Sequence, residues 1–452
     1  MLILFSVKNY RSIRDEQVLN LVASPYYSGK KSDDSARANR QLQLIQKRLP
    51  GLSGKDFLRS VAIYGANGSG KSNVVHAMKA MQRIVRDSSS YAPTDELPYD
   101  PFVLDQSSSK NPTEYFIAFY WGGVRYEYEF SHDDQRIVEE RLCSFPKGLR
   151  RTLYERSASS SGSPKVQDSS YLPINDVVAS MLNPNTLLLS FLYGHPGLQG
   201  FDVIKGAGDF FRDGLIVLDR VRDRWLDFPV SGEVLDGQTG SDFQRDLVQK
   251  MMRDSDVGIS SAKVVRRKVP KRPAAASEDA EENGEPIIQK SVVLEHKGNM
   301  GEGDINLMNE SLGTMQVFSL SSFIGEALEN DATLVVDGLD ASMHPILAKR
   351  VVQMFERPEL KGDEKEKENE RSAQLIFTAH QTYLMSGNTL ERDQIWLTDK
   401  GPDGGTVLYP LSDYSPRKGE PIAQGYLLGR YAGVPVLPED FGVPLSKGDH
   451  HE

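Results

Sequence analysis

The eight residues GANGSGKS at 65–72 constrain this chain more than any other feature. They fit G-x-x-x-x-G-K-[S/T], and they stand between an apolar run, FLRSVAIYG (57–65), and NVVHAMKAMQRIV, in which Val74, Val75, Met78, Met81 and Val85 recur at helical spacing. A strand therefore enters the turn and a helix leaves it. In that setting the backbone N–H groups of the loop, which contains Gly65, Asn67, Gly68 and Gly70, converge on one point, and the helix terminus adds positive potential there. Such a loop cradles phosphate. Lys71 is expected to reach β- and γ-phosphates and Ser72 to ligate Mg²⁺, so ATP and Mg²⁺ are the expected cofactors.

A second strand signal, TLVVDGLD, runs apolar residues into Asp337, the natural carboxylate partner of that Mg²⁺. NESLGT (309–314) opens a helix and offers the Ser311 hydroxyl, Gly313 and free N–H groups. FTAH ends another apolar run on His380, an imidazole placed to hydrogen-bond phosphate or orient water. Each of the last two has an ordinary alternative, a helix cap and a structural histidine. Their order after the phosphate loop favours function.

The chain has 452 residues, enough for two domains or for one large α/β domain with a substantial insertion. Its formal net charge of -10 argues against non-specific nucleic-acid binding by the whole surface, while leaving room for a local basic patch. Cys143 is the single cysteine, which excludes an intramolecular disulfide framework and a cysteine-cluster metal site. No segment approaches the length of apolar residues that spans a membrane, and MLILFSVKNYRSIRDEQ lacks a cleavage pattern, so no membrane association and a cytoplasmic location are expected.

Three regions follow from the pattern. Residues 1–173 carry the phosphate loop and antiparallel strands, including a hairpin around Gly122 and Gly123. Residues 174–260, among them DFFRDGLIVLDRVRDRWL, read mostly as helices and as an insertion that binds a partner. Residues 261–452 return to α/β order after a charged loop at 266–288, which has no apolar periodicity and reads as an exposed excursion.

Taken together, FSVKNYRSIRDEQ, YGANGSGKSN, ESLGT, VVDGLDASMHP, QLIFTAHQTYLM, RDQIWLTDK and YLLGRYAGVP resemble segments of the ABC-type ATPases, specifically compact prokaryotic members akin to the OLD family and to repair and chromosome ATPases, such as ATPase components of anti-phage systems like PARIS. The resemblance implies an α/β fold of the ABC-type P-loop head, with mixed sheets and a helical insertion. It implies Gly65, Gly70, Lys71 and Ser72 as Walker A and Asp337 as the Walker B carboxylate. Ser311, Gly313 and Thr314 would form a signature segment reaching ATP on another subunit. His380 would be the switch histidine, Asp340 would sit near the dimer-facing loop, and Arg11 would approach the phosphates. Gln106 is the candidate for the Mg²⁺-sensing glutamine.

Position 338 departs from the pattern. Relatives carry a glutamate there that activates water, and this chain has Gly338, so hydrolysis should lose assistance of roughly 10²–10⁴-fold while ATP and Mg²⁺ binding survive. Asp340 or His380 would have to substitute. The implied protein is an ATP-gated homodimer, or a higher oligomer of dimers, that answers a phage-derived or DNA trigger and controls a nuclease-like effector. The alternative is a repair or chromosome ATPase that clamps DNA through Lys263, Arg266, Arg267, Lys268, Lys271 and Arg272. Membrane transport would need a separate permease, and the NYRS and ESLGT forms do not favour it.

Overall fold

The computed structural model describes residues 1–24, 56–159, 164–174, 176–198, 200–219, 230–255, 258–269, 287–356, 372–386, 389–417 and 419–435. In chain order it gives β1 (Leu2–Lys8), β2 (Gln17–Asn20), β3 (Ser60–Gly65), α1 (Lys71–Asp87), β4 (Thr113–Trp121), β5 (Val124–His132), β6 (Ile137–Phe145), β7 (Arg151–Ser157) and β8 (Lys165–Asp168). Short helices α2 (Asp176–Met181), α3 (Leu188–Gly194) and α4 (Phe201–Asp209) lead to β9 (Leu215–Leu218), and α5 (Val230–Leu235) and α6 (Asp242–Ser255) follow. Then come β10 (Ile259–Val269), β11 (Ile287–Gly298), β12 (Gly301–Asn306), α7 (Leu312–Asn330), β13 (Thr333–Val336), α8 (Pro345–Glu356), β14 (Gln374–Thr378), β15 (Ile395–Lys400), β16 (Thr406–Pro410) and α9 (Ile422–Leu427).

Two sheets carry the architecture. One is antiparallel throughout, in the order β2-β1-β4-β5-β6-β7-β8. Its alternation is visible in β5, where Tyr126, Tyr128 and Phe130 are buried and Arg125, Glu127 and Glu129 partly exposed. The other runs β16-β15-β3-β14-β13-β9 and is parallel except for the β15–β16 edge pair. Its inner strands are buried on both faces, as parallel sheets require, and the period of two sends alternate residues to different cores. Val61, Ile63 and Val335 join α1 and the antiparallel sheet in one core, while Ala62, Tyr64, Leu334 and Val336 meet α7 and α8 in the other. Helix α1 is thereby clamped between the sheets, with the phosphate loop at its N-terminus.

The fold class is the expected one, an α/β P-loop head with mixed sheets, and the GG hairpin lies between β4 and β5. Two sequence readings change. The block 174–260 is not helical throughout, because LIVL forms β9 at the edge of the parallel sheet. The expected loop 266–288 is flanked by structure, since residues up to Val269 belong to β10 and those from Ile287 to β11, which pair antiparallel with one register shift between Ile259 and Ser261. The centre of that loop, with Lys271 and Arg272, lies outside the described residues, as does most of the polar stretch 356–371.

Candidate functional site

The phosphate loop is braced from outside. Gly70 caps α1 with φ +112°, and a Cβ there would lie 2.1 Å from Thr406 Oγ1, so glycine is what lets the loop pack against β16. Thr406 Oγ1 lies 2.8 Å from the Ser69 carbonyl and 2.7 Å from Ser12 Oγ, and Asn73 Nδ2 donates to Ser12 Oγ (2.7 Å). Asn67 and Gly68 remain exposed at the tip. Lys71 is buried, and its Nζ donates to the carbonyls of Gly65 (2.8 Å) and Ala66 (3.0 Å). Desolvation pulls its pKa down to about 8, against the opposing pull of Asp337 and Asp340. Carbonyls are weak substitutes for phosphate oxygens, so the ammonium is held for a stronger anion.

Facing Lys71 is a set of oxygen donors. Ser72 Oγ donates to Asp337 Oδ1 (3.1 Å), and the buried Thr378 hydroxyl donates to the same oxygen (2.6 Å) while accepting from Gly338 N (2.7 Å). Thr378 thus fixes both the carboxylate and the turn that follows it. Asp337 has a neighbour that sequence reading missed. Val336 and Leu218 pair in register across β13 and β9, so Asp219 ends the adjacent parallel strand. His76, one turn beyond Ser72 on α1, places Nε2 3.1 Å from Asp219 Oδ1. Its Nδ1 contacts Arg11 Nη1, and because a guanidinium can only donate, Nδ1 accepts and the ring proton sits on Nε2. A side-chain nitrogen of His76 and carboxylate oxygens of Asp219 and Asp337 lie within 4.8 Å of one another. With the Ser72 hydroxyl, the two carboxylates form the hard-oxygen set that Mg²⁺ takes.

Gln106 is not part of this set. It is exposed in the loop before β4, its carbonyl accepts from Ser109 Oγ (3.0 Å), and no hydrogen bond among the described residues joins it to Ser72 or Asp337. The strand end beside Asp337 belongs to Asp219. Arg11 lies to the side of the loop, held by Asp100 (Nη2 to Oδ2, 3.3 Å) and His76.

At 338 the backbone has φ +70°, a left-handed conformation that suits glycine. The residue therefore does more than omit a carboxylate, since the turn is shaped around it. Asp340 is fully buried and accepts the N–H groups of His380 (3.1 Å to Oδ2) and Gln381 (2.8 Å). This arrangement makes Asp340 an anchor for the His380 segment, with its carboxylate already engaged as an acceptor. His380 itself is exposed at the rim.

Ser311 caps α7, accepting from Thr314 N (3.1 Å) and sharing a 2.9 Å hydrogen bond with Thr314 Oγ1. Gly313 abuts the Ser342 carbonyl in the loop after Asp340. Buried Gln316, one turn into α7, donates to the Leu339 carbonyl (3.0 Å) and so ties this helix to the Asp337–Asp340 turn. Ser311 and Leu312 are exposed, and no hydrogen bond among the described residues joins them to the phosphate loop of the same chain.

A family profile described as "AAA domain, putative AbiEii toxin, Type IV TA system" matches residues 60–386, which contain every one of these groups except Arg11, Ser12 and Thr406. No curated protein matches the chain. Among solved structures, the chain is similar to the SMC head bound to the C-winged helix domain of ScpA, at 14% identity over 90% of this chain and 97% of that one, with a TM-score of 0.37. The SMC head domain from Thermotoga maritima gives 12%, 90%, 98% and 0.37 in the same order. The Smc head with an extended coiled coil bound to the C-terminal domain of ScpA, derived from Pyrococcus furiosus, gives 12%, 90%, 96% and 0.33.

Proposed function

Because the chain belongs to the family of AAA domains described as putative AbiEii toxin, Type IV TA system, and is thus an ATP-binding ATPase, we propose that it works as an ATP-gated switch in which two copies close on nucleotide. The observation that carries this reading is the convergence of Lys71, Ser72 and Asp337 on one point, with Ser72 Oγ 3.1 Å from Asp337 Oδ1. ATP draws Lys71 Nζ from the loop carbonyls to its β- and γ-phosphates. Ser72 and Asp337, with Asp219 beside them, hold Mg²⁺, which when bound neutralises charge on the phosphate oxygens. The exposed Ser311 turn of a second copy then meets the γ-phosphate with the N–H groups at the start of α7. ATP favours the closed pair by mass action, and loss of the γ-phosphate removes the shared ligand.

Turnover in this reading is slow. Gly338 offers no base and Asp340 is committed to two backbone N–H groups, which leaves His380 as the group at the rim able to orient water. A long-lived closed state suits a sensor. The client we favour is a nuclease-like effector in anti-phage defence, released or restrained by closure, a reading that rests on the sequence resemblance. A second reading, direct DNA clamping, is favoured by exposed Arg267 and Lys268 on β10. It is weakened at Lys263, paired with Asp304 (2.8 Å), and at Arg266, paired with Asp236 (2.5 Å).

Light scattering of the purified chain with and without ATP tests the switch. Doubled mass in ATP, abolished by Ser311→Arg without loss of ATP binding, is the expected result. A mass indifferent to ATP overturns it. Adding duplex DNA at rising salt separates the clients, because clamping through phosphates weakens steeply with salt.

A further inference from the structure

Asp219 stands at the end of an edge strand, and the helix that starts at the phosphate loop supplies what that edge lacks. β9 is the last strand in the order of its sheet and has four residues. Its parallel pairing with β13 uses alternate groups, and the Leu218 carbonyl accepts from Asp337 N (3.1 Å). With a period of two, the carbonyls of Leu215 and Val217 then point to the open side, where no further strand pairs with β9 among the described residues. Side chains of α1 take them instead. Lys79 Nζ donates to the Val217 carbonyl (2.7 Å). Buried Gln82 donates through Nε2 to the Leu215 carbonyl and, across the turn before β9, to the Phe211 carbonyl (3.1 Å). Three residues before Lys79, His76 Nε2 lies 3.1 Å from Asp219 Oδ1. Residues 76, 79 and 82 of one helix face thus meet 219, 217 and 215 of the strand, three steps along α1 for every two along β9.

The same helix carries Ser72 on its first turn. Ser72 and Asp219 therefore belong to two elements whose spacing this ladder sets, because β13 holds β9 from one side and α1 holds it from the other. Spacing matters to the choice of cation. Mg²⁺ holds its oxygens in near-octahedral order at about 2.0–2.1 Å, whereas Ca²⁺ accepts flexible arrangements at about 2.3–2.6 Å. An edge strand free to shift would suit the larger ion as well as the smaller.

We propose that Lys79 and Gln82 are positioning residues that hold Asp219 at the spacing Mg²⁺ takes and so select against Ca²⁺, an inference that rests on the reading of Asp219 as a metal-side carboxylate. Calorimetric titration of the full chain with ATP in Mg²⁺, in Ca²⁺ and in EDTA tests it. Lys79→Met covers the same surface but leaves the Val217 carbonyl without its donor. It should weaken Mg²⁺-supported binding about tenfold, with a smaller loss in Ca²⁺ and none in EDTA, so that the preference for Mg²⁺ falls. Lys79→Arg keeps a donor and should keep most of that preference. Gln82→Met removes the lower rungs without changing charge, and should shift the ratio the same way even if Lys79→Met does not fold. Asp219→Asn is the reference, expected to weaken Mg²⁺-supported binding at least as much. A Mg²⁺ to Ca²⁺ ratio unchanged in the folded Lys79 and Gln82 variants, while Asp219→Asn weakens Mg²⁺-supported binding, overturns the proposal alone. Mg²⁺-supported binding indifferent to Asp219→Asn overturns the reading of the metal side and the proposal with it.

Discussion

At residues 65–72 the phosphate loop is braced from outside and holds Lys71 on its own carbonyls, whereas at 337–340, two strands away in the same sheet, the turn that would serve the hydrolytic water is shaped around a glycine. Thr406, Ser12 and Asn73 brace the first region by short hydrogen bonds. In the second, Thr378 holds the Asp337 carboxylate and the Gly338 N–H, Asp340 holds the His380 and Gln381 N–H groups, and position 338 itself supplies no carboxylate. On the proposed reading, the contrast makes binding and turnover separable properties of this chain. Preorganisation has gone into holding nucleotide and into fixing the His380 segment.

The sharpest way to break that contrast is to restore a carboxylate. Gly338→Glu should raise ATP turnover, at most to about the hundredfold end of general-base assistance, because the new side chain must sit on a backbone at φ +70°. The left-handed conformation should also lower stability by about 1–2 kcal/mol. Gly338→Ala isolates the strain, and is expected to lose similar stability without gaining turnover. Steady-state phosphate release with thermal melts of all three chains is the measurement. Equal turnover in wild type and Gly338→Glu, with the fold intact, would mean that this position does not limit hydrolysis.

A smaller effect sharpens the comparison from the metal side. Thr378→Val removes the donor to Asp337 Oδ1 and leaves the Gly338 N–H without its acceptor, a loss of about 1–3 kcal/mol in stability. Mg²⁺-supported ATP binding should weaken about tenfold, while metal-free binding through Lys71 stays unchanged. Thr378→Ser should restore both. Parallel titrations with and without Mg²⁺ check this, and equal losses in the two would place Thr378 in general support of the fold.

Which parts of this were legible in sequence follows from how local each signal is. GANGSGKS carries its own geometry in glycine spacing, and the apolar runs into Asp337 and His380 read as strands because they are short, continuous and end on a polar residue. LIVL was read as helix because four apolar residues between FFRD and RVRD have no period to measure, and only pairing with β13 makes them a strand. The importance of Asp219 depends on that register, so it could not precede it. Thr378 lay inside a strand read correctly, yet its partners are 40 and 41 residues away. The strand GEGDIN is exposed along nearly its whole length, so it carries no apolar alternation, and hydrogen bonds to β11 define it. Gln106 rests on residue type alone, which carries no information about the exposed loop in which it lies.

The smallest expected effect tests whether Lys71 is as strained as its surroundings imply. With a pKa near 8 in the nucleotide-free chain, the protonated fraction falls about fourfold between pH 7 and pH 8.5, whereas an ordinary lysine would hardly change. Metal-free ATP binding should weaken by about that factor over the same range, with proton uptake on binding, since the polyphosphate stabilises the ammonium that desolvation opposes. Stability of the free chain should move the other way. The unfolded state binds more protons between about pH 8 and the ordinary lysine value of 10.5, so this group adds stability as pH rises through that window. Calorimetry in two buffers of different ionisation enthalpy reads the proton directly. Flat ATP affinity from pH 7 to pH 8.5 would mean that the loop carbonyls already support a full positive charge, and the poise of Lys71 toward phosphate would have to come from geometry alone.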